Sequence, residues 1–117
     1  MCIRDRFRAD GTFKNVLGDD TWLEPWQDVA EGCGAPIAPH DGSVPATWSY
    51  DADAGQVTLE GQGAFLGLAK AHNNGQLAAP YEAPASITYN VYVEEDGSLT
   101  VSVDYQSGWW TYKLVRD

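Results

Sequence analysis

Hydrophobic and polar residues alternate with period two over most of the last third of the chain. Ile87, Tyr89, Val91 and Val93 alternate with Thr88, Asn90 and Tyr92, and Leu99, Val101, Val103 and Tyr105 alternate with Thr100, Ser102 and Asp104. In the final segment Trp110, Tyr112 and Leu114 share one face, and Trp109, Thr111 and Lys113 the other. Period two is the repeat of a strand with one buried face. Glu94 to Ser98 and Gln106 to Gly108 supply the turns, so the region predicts three consecutive antiparallel strands. The same pattern recurs upstream. Phe7 ends one strand, Ala9-Asp10-Gly11 turns the chain, and Thr12 to Leu17 forms the next, since Asp-Gly between apolar residues favours a hairpin. Ala46 to Tyr50 alternates, placing Trp48 with Tyr50. Asp51 to Gly55 then turns it into Gln56 to Glu60, with Val57 and Leu59 inward. Ala64 to Leu68 predicts a short buried strand.

Two long stretches interrupt this order. Asp20 to Pro45 holds Pro25, Pro36, Pro39 and Pro45 together with Trp22 and Trp26. A helical turn is expected over Glu24 to Ala30, capped by Asp20 or Thr21, with loop beyond it. Lys70 to Pro84, with His72 and Tyr81, reads as a second loop. No amphipathic helix long enough to cover a sheet is present, so the apolar faces must be buried by curling or by a second sheet. The predicted fold is all-β: an antiparallel up-and-down meander forming a barrel or sandwich. Trp48, Tyr89, Trp110 and Tyr112 are assigned to its core.

Length and charge narrow the function. The 117 residues fit one domain with one core. A formal net charge of −10 opposes nucleic acid and anionic membrane surfaces alike. The longest apolar runs are only a few residues, so no membrane insertion is expected. Met1 to Arg6 resembles translated sequencing-adapter sequence at the start of metagenomic reading frames. That resemblance implies a non-native scar at 1–6 and a single β domain at 7–117, truncated at its N-terminus. Without the scar the charge is 5 basic minus 16 acidic residues, or −11. Cys2 would then be foreign, leaving Cys33 without a partner in the chain.

Catalytic constellations are scarce. His40 and His72 fall in predicted loops with no metal-binding spacing around them, and read as solvated. The acidic stretch Asp19, Asp20, Glu24, Asp28 and Glu31 offers the oxygen ligands calcium prefers, with Asp19, Asp20 and Glu24 as candidates. Its spacing matches no EF-hand loop, and a solvated acidic face is the plainer reading. No other cofactor is expected. Glycoside hydrolysis needs two carboxyls facing one cleft, whereas the confident strands carry single acids, Glu60 and Asp104. Five tryptophans and six tyrosines are more than a core of this size requires. Flat aromatic faces suit sugar rings, and the candidate ligand-binding residues are Trp109, Trp22, Trp26, Tyr81 and Lys113.

The run from Ala9 to Gln27 (Ala-Asp-Gly-Thr-Phe through Trp-Leu-Glu-Pro-Trp-Gln) is similar to a lipocalin-like β accessory module of secreted Bacteroidetes polysaccharide-degrading proteins. So are Cys33-Gly34-Ala35-Pro36, Pro39-His40-Asp41-Gly42-Ser43, Gly63-Ala64-Phe65-Leu66-Gly67-Leu68 and Pro84-Ala85-Ser86-Ile87-Thr88-Tyr89. Such modules stand beside family-16 glycoside hydrolase domains, whose Glu-x-Asp-x-x-Glu motif is not in this chain. The resemblance implies a secreted or cell-surface, non-catalytic, glycan-binding module with a polysaccharide such as β-glucan as partner. A small-ligand-binding domain and a structural spacer or docking domain are the alternatives. It also implies that the first strand or strands of the barrel are lacking and that Cys33 forms a disulfide with a missing upstream cysteine. An edge left open by such a loss would favour association.

Overall fold

The computed structural model describes residues 4–17, 21–67, 69–79 and 82–115. Its strands in chain order are β1 (Arg4–Phe7), β2 (Thr12–Val16), β3 (Thr21–Leu23), β4 (Gly32–Gly34), β5 (Ala46–Asp51) and β6 (Gln56–Glu60). After these come β7 (Ala71–His72), β8 (Gly75–Gln76), β9 (Ser86–Val93), β10 (Leu99–Asp104) and β11 (Trp109–Leu114). A 3-10 turn, Pro25–Gln27, lies between β3 and β4. Among the described residues seven strands form one antiparallel sheet in the order β1-β2-β5-β6-β9-β10-β11, curled as a half-barrel. Strands β3-β4 and β7-β8 are two small separate hairpins. The expected meander is therefore present, with two excursions, 17–45 and 61–85, inserted into it.

The register carries the alternation across the whole sheet. Phe7 pairs with Phe13, Phe13 with Ala46, Trp48 with Leu59 and Tyr50 with Val57. Val57 pairs with Tyr89, Val91 with Val101, and Val101 with Tyr112. All of these lie on the inner face. The outer face is a field of short polar side chains, in which Thr58 and Thr88 share a hydroxyl hydrogen bond of 2.9 Å and the Gln56 amide donates to Asn90 at 3.3 Å. Such cross-strand pairs add a few tenths of a kcal/mol each, up to about 1.

Three turns share one local chemistry. In Asp10-Gly11-Thr12, Asp41-Gly42-Ser43 and Asp96-Gly97-Ser98 the aspartate Oδ1 accepts from both the backbone N–H and the hydroxyl of the residue two positions on. The intervening glycines have φ of 90°, 79° and 86°, where a side chain would be strained.

The excursion 61–85 fills one end of the half-barrel. The strand expected over Ala64 to Leu68 does not form at Ala64 to Gly67, and Leu68 lies outside the described residues. Ala64, Phe65 and Leu66 are buried as an irregular plug, and two asparagines take the place of ladder pairing. Buried Asn15 on β2 donates to the Phe65 carbonyl at 2.7 Å and accepts from its N–H at 3.2 Å. Asn73, between β7 and β8, donates to the Thr88 carbonyl at 2.8 Å and accepts from its N–H at 2.9 Å. Each side-chain amide thus replaces a peptide group of a neighbouring strand. Tyr89, fully buried, accepts the Leu66 N–H at 2.9 Å. Gly67, at φ 76°, lies under the Tyr112 ring, where any Cβ would collide with it.

The core assignments divide. Tyr89 is central, and Trp48 and Tyr112 pack against the core half-buried. Trp110 departs from the expectation. It points inward but is 38% exposed, because among the described residues β11 is an edge strand of the sheet, and it stacks on Tyr105 with centroids 6.2 Å apart.

Candidate functional site

Trp22 and Trp26 line one groove, although no periodicity links them in the chain. Trp22 stands on the β3-β4 hairpin, in register with Cys33, and is 47% exposed. The helical turn is shorter than expected and is begun by Glu24, with Thr21 already in β3 and Asp20 outside the described residues. The Glu24 carbonyl accepts the Gln27 N–H at 2.9 Å, and the Gln27 side chain accepts the Glu24 N–H at 3.2 Å. Pro25 suits the first position, where a missing N–H costs nothing. Asp28, at φ 64°, ends the turn. The result fixes Trp26 beside Glu24, whose Oε1 accepts the indole N–H at 3.4 Å. Its other oxygen lies 3.6 Å from the Lys70 ammonium, joining the turn to the second excursion. A half-buried surface pair of this kind is worth about 1 kcal/mol or less, so it orients more than it stabilises.

His40 sits behind the tryptophans. Its ring meets Trp26 edge-on at 5.3 Å and Phe65 at 6.0 Å. The chain of contacts therefore runs from Asn15 through the Phe65 backbone to His40 and Trp26, tying the groove to the sheet. The reading of His40 as a solvated loop residue is overturned. It is 4% exposed, and burial pulls its pKa down to about 4, against a smaller opposing effect of Asp41. The ring is neutral near pH 7, and Nδ1 is buried with no hydrogen-bond partner among the described residues. His72 is also not a loop residue. It belongs to β7, its Nδ1 accepts the Asn74 N–H at 3.2 Å, and burial lowers its pKa.

The groove encloses only about 70 Å³, the volume of a few water molecules. Glu24 and Lys70 offer carboxylate and ammonium at the rim, and the buried Gln27 lines the groove as well. Among the described residues Glu24 is the one carboxylate lining the groove.

The other predicted residues go elsewhere. Trp109, 59% exposed, lies with Thr111 and Lys113 on the outer face, in register with Asp104. Neither Trp109 nor Lys113 lines the groove. Tyr81, Asp19 and Asp20 lie outside the described residues, as does Cys2. Cys33 is exposed with a free thiol. Among the described residues no group of three or more His, Cys, Asp or Glu side chains is placed to hold a metal ion, and no helix is long and apolar enough to cross a membrane. Gln27 and Lys70 were not singled out from sequence, and His40 was considered there only as a solvated loop residue. Compared with family models, with curated proteins and with solved structures, the chain matches none.

Proposed function

We propose that the chain is a non-catalytic glycan-binding module whose binding surface is the Trp22–Trp26 groove. The observation that carries this is the convergence of two tryptophans, one exposed and one wedged edge-on, with carboxylate, amide and ammonium groups at a single shallow site. A sugar ring is amphipathic in the same sense: its axial C–H face stacks on an indole and its hydroxyls bond to polar groups at the edge. Buried His40 Nδ1 is a further group suited to a hydroxyl. Hydrolysis needs two carboxyls facing one cleft, and among the described residues Glu24 alone lines this one.

In keeping with the resemblance in its sequence, the module serves a secreted or surface-bound protein that acts on polysaccharide such as β-glucan. Affinity electrophoresis through gels containing laminarin, xylan or alginate tests the reading. Retardation by a β-glucan, weakened roughly tenfold or more by Trp22→Ala and unchanged by Trp109→Ala, is the expected result. Lack of retardation by any polysaccharide, or dependence on Trp109 in place of Trp22, would overturn it.

A further inference from the structure

At the end of the half-barrel opposite the plug the inner face is open. A trough of about 300 Å³ runs into it, and every side chain that lines it is apolar or aromatic. Its floor is made by Val57, Leu66 and Val101, all buried, and its rim includes Tyr50, 49% exposed, and Val93, 57% exposed. A monomeric protein seldom leaves apolar surface of this kind concave and unoccupied.

The rim above it is acidic. The trough residues Tyr50 and Val57 flank one turn, and Val93 and Leu99 flank another. Those turns carry Asp51 and Asp53, and Glu94, Glu95 and Asp96. Phe7, also at the rim, precedes the turn that holds Asp10. Among the described residues Arg8, in that last turn, Arg6, next to Phe7 in the chain, and Lys113, beside Thr100 on the outer face, are cations near this end. Hydrogen bonds hold these carboxylates in place: Asp51 accepts from the Asp53 and Ala54 N–H groups, Asp96 from the Ser98 N–H and hydroxyl, and Glu94 from the Thr100 hydroxyl. An apolar floor under a ring of fixed negative charge attracts a molecule with an apolar body and a positive head, and repels its anionic counterpart.

We propose that this trough is a second binding site, for a small cationic amphiphile whose apolar body rests on Val57, Leu66 and Val101 while its head lies among the acidic turns. The inference is independent of the glycan groove. It can be tested by isothermal titration of the whole chain with three molecules sharing one alkyl chain: octyltrimethylammonium, octanol and octyl sulfate, each kept below its micelle concentration. One-to-one saturable binding is expected in the order cation, neutral, anion. The cation should bind about tenfold more tightly than the anion at low salt, the scale of one or two surface charge pairs acting together. That margin should shrink as salt screens the turns.

Val93→Lys, at an exposed rim position that leaves the floor intact, is expected to remove the preference for the cation. Trp22→Ala is expected to leave amphiphile binding unchanged. Equal affinity for all three probes, tightest binding of octyl sulfate, no saturable binding at all, or occupation of the trough by a second copy of the chain in sedimentation would each overturn the proposal.

Discussion

At the scale of single residues, buried His40 and half-buried Asp5 oppose one another as pH changes. Burial holds the His40 pKa near 4, below its ordinary 6.5, so as pH falls from 6.5 to 4 the unfolded chain takes up a proton the folded protein refuses, and stability is lost. Burial also raises Asp5 from 3.8 to about 6, with the Asn15 amide pulling weakly the other way. As pH falls through 6 the folded protein takes up that proton first, and stability is gained. The two windows nearly coincide. Urea midpoints of the unaltered chain should therefore change little between pH 6.5 and 4, whereas Asp5→Asn should lose up to about 3 kcal/mol over the same interval. A variant as flat as the parent would contradict this assignment. Below pH 3.8 both should weaken, because Asp10, Asp41 and Asp96 are held below their ordinary pKa by the Thr12, Ser43 and Ser98 hydroxyls and that contribution ends once they are protonated.

The residue scale is also where sequence reading divides most sharply. Period two told correctly which face Trp109 and Trp110 occupy, but a face is not a depth. Trp110 faces inward on an edge strand and stays partly exposed because the covering neighbour that depth requires is not in the pattern. The burial of His40 is equally invisible in the linear chain, since Trp26 and Phe65, which enclose it, come from opposite excursions.

At the scale of elements, the strands of the main sheet were legible because alternation and turn residues agree with one another. The plug was not. Ala64 to Leu66 is a short apolar run, which periodicity alone cannot assign, and its pairing group is Asn15, while Asn73 ties the same excursion to Thr88 of β9, a side-chain device with no repeat to betray it. The hairpin β3-β4 was missed for a related reason: three-residue strands, one of them Gly-Cys-Gly, are too short to show alternation.

The asparagine device makes a comparison possible. Asn15→Ala leaves both the N–H and the carbonyl of buried Phe65 without their partner, an expected loss of about 2–4 kcal/mol from two unsatisfied groups. Asn73→Ala frees the Thr88 backbone where it is only partly buried, and should cost under half as much. Denaturation together with amide exchange at Phe65 and Thr88 checks both. Equal costs for the two variants would mean that the plug is not held in the way described.

At the scale of the molecule, the half-barrel has two unlike ends. One is plugged by 61–85 and carries the tryptophan groove; the other opens as an apolar trough under acidic turns. Charge and composition indicated the acidic surface but not its division, because segments far apart in sequence build each end. The fold class followed from the alternation alone. The grouping of Trp22 with Trp26, apart from Trp109, needed the path of the first excursion.

That grouping is the central claim, and the five indole N–H resonances report on it individually. Titration of the protein with a β-glucan oligosaccharide, with the resonances assigned by single Trp→Phe variants, should shift Trp22 and Trp26 and leave Trp48, Trp109 and Trp110 in place. Shifts confined to Trp109 and Trp110 would contradict the account.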